Sequence, residues 1–207
     1  MKWGLALALL LLEGGCPLRP PHLGEPVPTL PDGEAERSYQ AVLERSSARA
    51  ELYSGLDTQA FVATTLQSPI FREARARRES AFRNETLTEL DARLTREREE
   101  AAAFHEFFLG VFIEDSDFDD LDRKNSVWRL AMVTPAGEVL PVSVKRMGRS
   151  NPAMRAFYPY MDRFWTAYRV RFPREVAGQA TLPPDAKEVM LQVASPLGRA
   201  NLVVPAP

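Results

Sequence analysis

Six carboxylates crowd into nine residues: Glu114, Asp115, Asp117, Asp119, Asp120 and Asp122, with no basic residue among them. Asp115-Ser116-Asp117-Phe118-Asp119 carries the alternate-acid spacing of a calcium loop, in which hard oxygens converge on one ion. The pattern then breaks. Asp120 stands where such a loop needs glycine for its sharp turn, and Ser126 where it needs a bidentate glutamate. The residues favour an acidic connection between structural elements, with a calcium-stabilised module as the alternative.

Other reactive side chains are scarce. His105-Glu106 has no second histidine nearby, so it is not a zinc-protease motif, and the only other histidine is His22. No glycine-rich phosphate loop, no Gly-x-Ser-x-Gly elbow and no Cys-His pair occurs, and no catalytic residue, cofactor or metal ligand is singled out. Carboxylates brought together by folding are the one catalytic resource left, which makes a periplasmic hydrolase the enzymatic alternative. The single cysteine, Cys16, cannot close an internal disulfide, so an exported fold must stand on packing alone.

The position of Cys16 gives that thiol a different chemistry. Lys2 supplies a positive start, Leu5 to Leu12 is an unbroken leucine and alanine run, and Gly14-Gly15-Cys16 follows. Eight apolar residues fall far short of the roughly 20 that span a bilayer. The stretch from 1 to 15 therefore reads as a cleaved signal peptide. The segment resembles the signal of bacterial lipoproteins, in which small residues precede a lipid-modified cysteine. Gly14 and Gly15 match that pattern, while Glu13 stands where the family usually has leucine and Leu12 sits one place early. The resemblance implies lipid attachment at Cys16. It also implies, through Pro17 rather than aspartate in the next position, sorting to the outer membrane over the inner. Each buried methylene of an acyl chain adds about 0.8 kcal/mol of anchoring.

Residues 16–33 follow as anchor and linker. Pro17, Pro20, Pro21, Pro26, Pro28 and Pro31 make this a semi-rigid, extended spacer that would hold a domain clear of the headgroups. From residue 34 to 110 the composition turns long-chain and alanine-rich, and helices are expected. Tyr39, Val42 and Leu43, then Leu52, Tyr53 and Leu56, recur at helical spacing, with Asp57 as N-cap of a short helix through Leu66. Ser68-Pro69 is a stronger start signal, and Thr86 with Glu89 forms a capping-box pattern that divides the next stretch near Asn84. Arg72, Arg75, Arg77 and Arg78 lie among Glu73 and Glu79, which marks a solvated helix face. A net charge of -2 and the lack of interleaved aromatics argue against a nucleic-acid partner.

Residues 111–207 shift to period two. Val127–Val133, Val139–Lys145, Tyr168–Phe172, Val189–Val193 and Ala200–Val204 alternate in the manner of half-buried antiparallel strands, separated by proline and glycine turns. Between the second and third of these lie Phe157, Tyr158, Tyr160, Phe164 and Trp165, the densest aromatic cluster in the chain. Sealing the sheet against the helices is the plain reading, and docking a partner is the sharper one. The expected architecture is α+β, with N-terminal helices packed on a C-terminal antiparallel sheet or small sandwich. The expected role is a membrane-tethered envelope lipoprotein that acts as a noncatalytic binding or assembly module. Its partners would be the membrane, through its lipid, and an envelope protein.

Overall fold

The computed structural model describes residues 33–54 and 57–207. Cys16, the signal segment and nearly all of the proline-rich spacer lie outside the described residues. The elements run α1 (Gly33–Arg45), β1 (Ser47–Ser54), β2 (Asp57–Leu66), α2 (Pro69–Arg83), α3 (Leu87–Ala103) and β3 (Phe104–Ile113). A single 3-10 turn at Ser116–Phe118 leads to β4 (Arg129–Thr134), β5 (Gly137–Val139), β6 (Ser143–Arg149) and α4 (Pro152–Phe157). The chain ends with β7 (Thr166–Pro173), the short ribbon β8 (Glu175–Val176) and β9 (Gln179–Ala180), then β10 (Glu188–Ser195) and β11 (Gly198–Pro205).

Local chemistry explains where the helices start and stop. The Phe71 backbone N–H donates to Ser68 Oγ at 3.2 Å, and Pro69 occupies the first helical position of α2, where no N–H is needed. The helix ends at Asn84, whose φ of 51° places it in the left-handed region that asparagine tolerates. Thr86 and Glu89 then close a reciprocal capping box, with Thr86 N–H donating to Glu89 Oε2 at 2.8 Å. These signals act within a few residues, which is why α2 and α3 fall where the sequence expects them.

Strands β1, β2 and β3 occupy much of the stretch expected to be helical. Residues 47–66 form an antiparallel hairpin, so Asp57 begins a strand rather than capping a helix. Thr58 to Leu66 is rich in threonine, valine and phenylalanine, which suit a pleated surface. Its pairing with β3, from Ala60 opposite Ile113 to Leu66 opposite Phe107, overrides the leucine spacing. The expected strand at 139–145 is likewise divided, since Leu140-Pro141 carries the chain from one sheet to the other.

The fold is α+β, built as a two-sheet sandwich with a helical layer on one outer face. One sheet has the order β1-β2-β3-β7-β6 and the other β11-β10-β4-β5. Between them lies the main core, where Phe107, Leu109, Val111, Tyr168, Val170 and Phe172 meet Leu130, Met132, Leu191 and Leu202. The opposite face of the first sheet receives α1, α2 and the aromatic segment in a second core. There Tyr39, Leu43 and Phe71 pack with Phe108, Tyr158, Tyr160 and Trp165. Strand β3 is thus buried on both faces. Gly110 at its centre is required by close approach, because a Cβ there would sit 3.1 Å from the Trp165 ring and 3.2 Å from Met161. Since β2 and β3 pair into the same sheet as β7 and β6, the helical and strand-rich stretches share one core.

A candidate binding cleft on the helix-facing side of the sheet

Alternation along β7 sends Tyr168, Val170 and Phe172 into the main core and leaves Arg169 and Arg171 on the helix-facing side. On β3 the same rule places Glu106 and Phe108 there. Helix α2 presents Arg75, Glu79 and Arg83 at intervals of four, so they share one helix face. All of these except Arg171, together with Met154 and Phe157 of α4 and Met147 of β6, line an open cleft of about 260 Å³. That volume is just below the usual range of about 300–1,000 Å³ for small-molecule pockets.

The floor is aromatic and fixed. Tyr158 lies parallel on Phe108 with ring centroids 3.7 Å apart. Its hydroxyl donates to Gln67 Oε1 at 3.3 Å and receives Arg75 Nη1 at 3.3 Å. Arg75 also gives Nη1 to Gln67 Oε1 at 3.0 Å and Nη2 to Glu97 Oε1 at 2.7 Å. Burial disfavours the Arg75 charge, yet Tyr158 and Glu97 beside it more than compensate, so its pKa is raised. Glu97 is half-desolvated, which alone would raise its pKa, but Arg75 and Arg72 hold it below the usual carboxylate range. Both groups are therefore ionised at neutral pH.

Behind the floor, Arg72 is only 3% exposed. It donates Nη1 to Glu97 Oε2 at 2.8 Å and Nε to the Gln67 carbonyl at 2.9 Å. Its Nη2 lies 3.3 Å from Glu106 Oε1, close enough for an ion pair but without hydrogen-bond alignment. Glu106 takes Arg171 Nε at 2.7 Å, while Arg169 Nε comes no nearer than 3.8 Å. Arg171 reaches on to Glu100. A buried carboxylate thus serves three guanidinium groups, and Arg169 is the least well satisfied of them. At the far rim Glu79 bridges Arg83 at 2.9 Å and Arg93 at 3.1 Å.

The five aromatics singled out in the sequence do not share an exposed face. Tyr158, Tyr160 and Trp165 are buried, with Tyr160 hydrogen-bonded to Thr65 Oγ1 at 2.8 Å and Trp165 stacked on Phe61. Phe157 stands on the cleft wall, edge-on to Tyr39 and Phe82. Phe164 is 52% exposed, away from the cleft, under the Arg163 guanidinium at 4.6 Å. The cluster therefore supplies interior packing plus two residues, Phe157 and Tyr158, that touch the cleft.

The acidic run is spread out by the fold. Asp119 accepts from the Tyr168 hydroxyl, Thr166 Oγ1 and Arg146 Nη2, each at 2.7 Å, and so ties the loop to β7 and β6. Burial, then the Asp119 carboxylate, push the Tyr168 hydroxyl well above its ordinary pKa. Asp120 accepts from Ser126 Oγ at 2.8 Å, and Asp115 from the Asp117 backbone at 3.0 Å. Among the described residues no three acids, histidines or cysteines converge on a common point. His105 points toward the main core rather than the cleft, and burial together with Arg174 lowers its pKa to about 4.

The arginine run expected on a solvated helix face is instead largely interior, since Arg72 and Arg78 are buried and Arg75 sits on the cleft floor, while Gln67, Met147 and Arg169 are among the cleft residues with no sequence signal. The four-residue spacing of Arg75, Glu79 and Arg83 marks a common helix face, but nothing local says what that face meets. No protein-family model, no curated protein and no solved structure matches this chain.

Proposed function

We propose that this chain is a noncatalytic binding module of the bacterial cell envelope, anchored by lipid on Cys16 and binding its partner through the cleft over β3 and β7. The observation that carries the binding half is the cleft's preorganisation. Tyr158, Gln67, Arg75 and Glu97 hold one another in place before any ligand arrives, so little side-chain freedom is lost on binding. The anchoring half rests on Leu5 to Leu12 followed by Gly14-Gly15-Cys16, and the six prolines after it suit a stand-off spacer. No described helix is long and apolar enough to cross a membrane.

Mass spectrometry of the protein extracted from membranes with detergent tests the anchor. The expected mature chain begins at Cys16 and carries acyl mass on that residue. Cys16→Ser should move the protein from the membrane pellet to the soluble fraction. A mature chain that retains residues 1–15, or an unmodified thiol on Cys16, overturns the anchored reading. For the cleft, a photo-crosslinking residue replacing Met147 should capture an envelope component that the same residue at exposed Phe164 does not.

A further inference from the structure

Resting on that reading of the cleft, we infer that its ligand is an extended, acidic peptide segment of a partner protein, with an apolar side chain two residues from an acidic one. The acid sits on Lys145 and Arg169, and the apolar side chain enters the slot between Met147, Met154 and Phe157.

Lys145 and Arg169 are direct partners across β6 and β7, so their side chains share the helix-facing side of the sheet. Like charges placed opposite each other in a sheet repel. The surroundings relieve this pair only weakly, through one long contact from Arg169 to Glu106. Lys145 is exposed and makes no ion pair or hydrogen bond among the described residues, and Arg169 stands 3.8 Å from a carboxylate already engaged by Arg171 and Arg72. A carboxylate laid across both cations would relieve their repulsion.

Met147 lies two residues beyond Lys145, at the β6 bulge between Arg146 and Gly148, where it lines the cleft, 38% exposed. Residues two apart on an extended strand are about 6–7 Å apart. The bulge keeps Met147 on the cleft side with Lys145, so an extended peptide with a similar repeat brings its acidic and apolar side chains to Lys145 and the methionine slot together. Met147 and Met154 are unbranched and polarisable, which suits a slot that accommodates leucine, phenylalanine or methionine.

The occupant lies over the face rather than along the edge. Strand β6 ends the sheet order, but it carries Lys145 and a register shift at Met147, between Arg146 and Gly148, whose φ is 104°. An edge lysine and a bulge are both features that discourage strand addition.

The test uses fluorescence anisotropy with the folded protein and a pool of synthetic peptides of about nine residues, glutamate alternating with leucine, phenylalanine or methionine. Parallel arms use the same peptides with glutamine for glutamate, and dodecanoate as a non-peptide carboxylate. We expect the acidic pool to bind, with affinity falling several-fold as salt rises from about 0.05 to about 0.5 M. Lys145→Glu and Met147→Ser, both at exposed edge positions, should each weaken binding by about tenfold while leaving the melting temperature unchanged. Arg169→Gln should act like Lys145→Glu. Equal binding of the glutamine peptides overturns the acidic preference. Binding of dodecanoate without the peptides overturns the peptide assignment. Absence of any binding, or binding that Lys145→Glu and Met147→Ser leave intact, overturns this placement. None of those failures bears on Cys16 acylation or on crosslinking at Met147, which judge the tethered-module reading separately.

Discussion

Strand β7 has two faces, and they are built from opposite materials. Toward the second sheet it presents Tyr168, Val170 and Phe172, all fully buried among hydrocarbon. Toward the helices it presents Arg169 and Arg171, facing Glu106 on β3 and the guanidinium groups of α2. The apolar face has no direction of its own and is satisfied by any close-packed arrangement, so it stabilises the sandwich without selecting a ligand. The ionic face is directional and only partly neutralised, so it gains from a ligand and contributes less to folding. One strand therefore anchors the fold on one side and carries the proposed binding surface on the other.

Removing bulk from the apolar face should cost the most. Phe107 is fully buried and meets Phe172 edge-on at 5.8 Å in the main core. Phe107→Ala should lose about 4 kcal/mol of unfolding free energy, from lost transfer energy plus the cavity left behind. Urea titration followed by circular dichroism measures it. A loss below about 1 kcal/mol would show that this core collapses around the gap and that the contrast between the faces is weaker than drawn.

The neighbouring position on the same strand sharpens the contrast. Glu106 lies on the ionic face, and Glu106→Ala leaves Arg72 and Arg171 without their shared carboxylate. Breaking a buried ion pair by removing one partner costs roughly 3–5 kcal/mol. Here Glu97 and Glu100 still partner those arginines, so about 2–3 kcal/mol is expected. The discriminating measurement is the double variant Glu106→Ala with Arg171→Met. It should recover part of the loss, because the uncompensated charge is gone. Phe107→Ala has no such partner whose removal restores stability.

The two faces also differed in how readily they were read. Strands β4, β7, β10 and β11 announce themselves by alternation, and Ser68-Pro69 and the Thr86–Glu89 box place α2 and α3, because each signal is complete within a few residues. Strand β3 is different. Its run from Phe104 to Ile113 is buried on both faces and has no period, so it extends the apolar end of α3 without a visible break. Strand β2 depends on pairing with β3 more than forty residues later in the chain, and β1 pairs in turn with β2. The cleft was the least legible part. Of the dense aromatic segment only Phe157 and Tyr158 touch the cleft, and Gln67, Arg75, Met147 and Arg169 come from the β2–α2 connection, α2, β6 and β7, which only the tertiary fold brings together. Arg169 and Lys145 were visible as residues on strands. Their adjacency was not, because the sequence reads 139–145 as a single strand and does not show β6 pairing with β7.

Acid should separate the faces a last time. His105 lies on β3 beside Phe172, 5% exposed, and burial with the nearby Arg174 charge lowers its pKa to about 4 from an ordinary 6.5. The unfolded chain takes up this proton near pH 6.5 and the folded chain only near pH 4. The unfolded state therefore binds more protons in between, and stability falls as pH drops through that window, with the full contribution present above pH 6.5. Carboxylates held low by their partners, such as Glu97, weaken the fold only further down, below their ordinary value of 4.5. Between pH 6.5 and 5 the slope of the urea midpoint thus reports His105, and His105→Gln should flatten it. A wild-type midpoint that stays level across this range, or an unchanged slope in the variant, would remove the histidine from the account. On the helix-facing side no histidine lines the cleft, so acidic peptides should keep their affinity over the same pH range. A fold that loosens while its cleft keeps its charge would place the pH sensitivity in the apolar interior and the recognition in the ionic face.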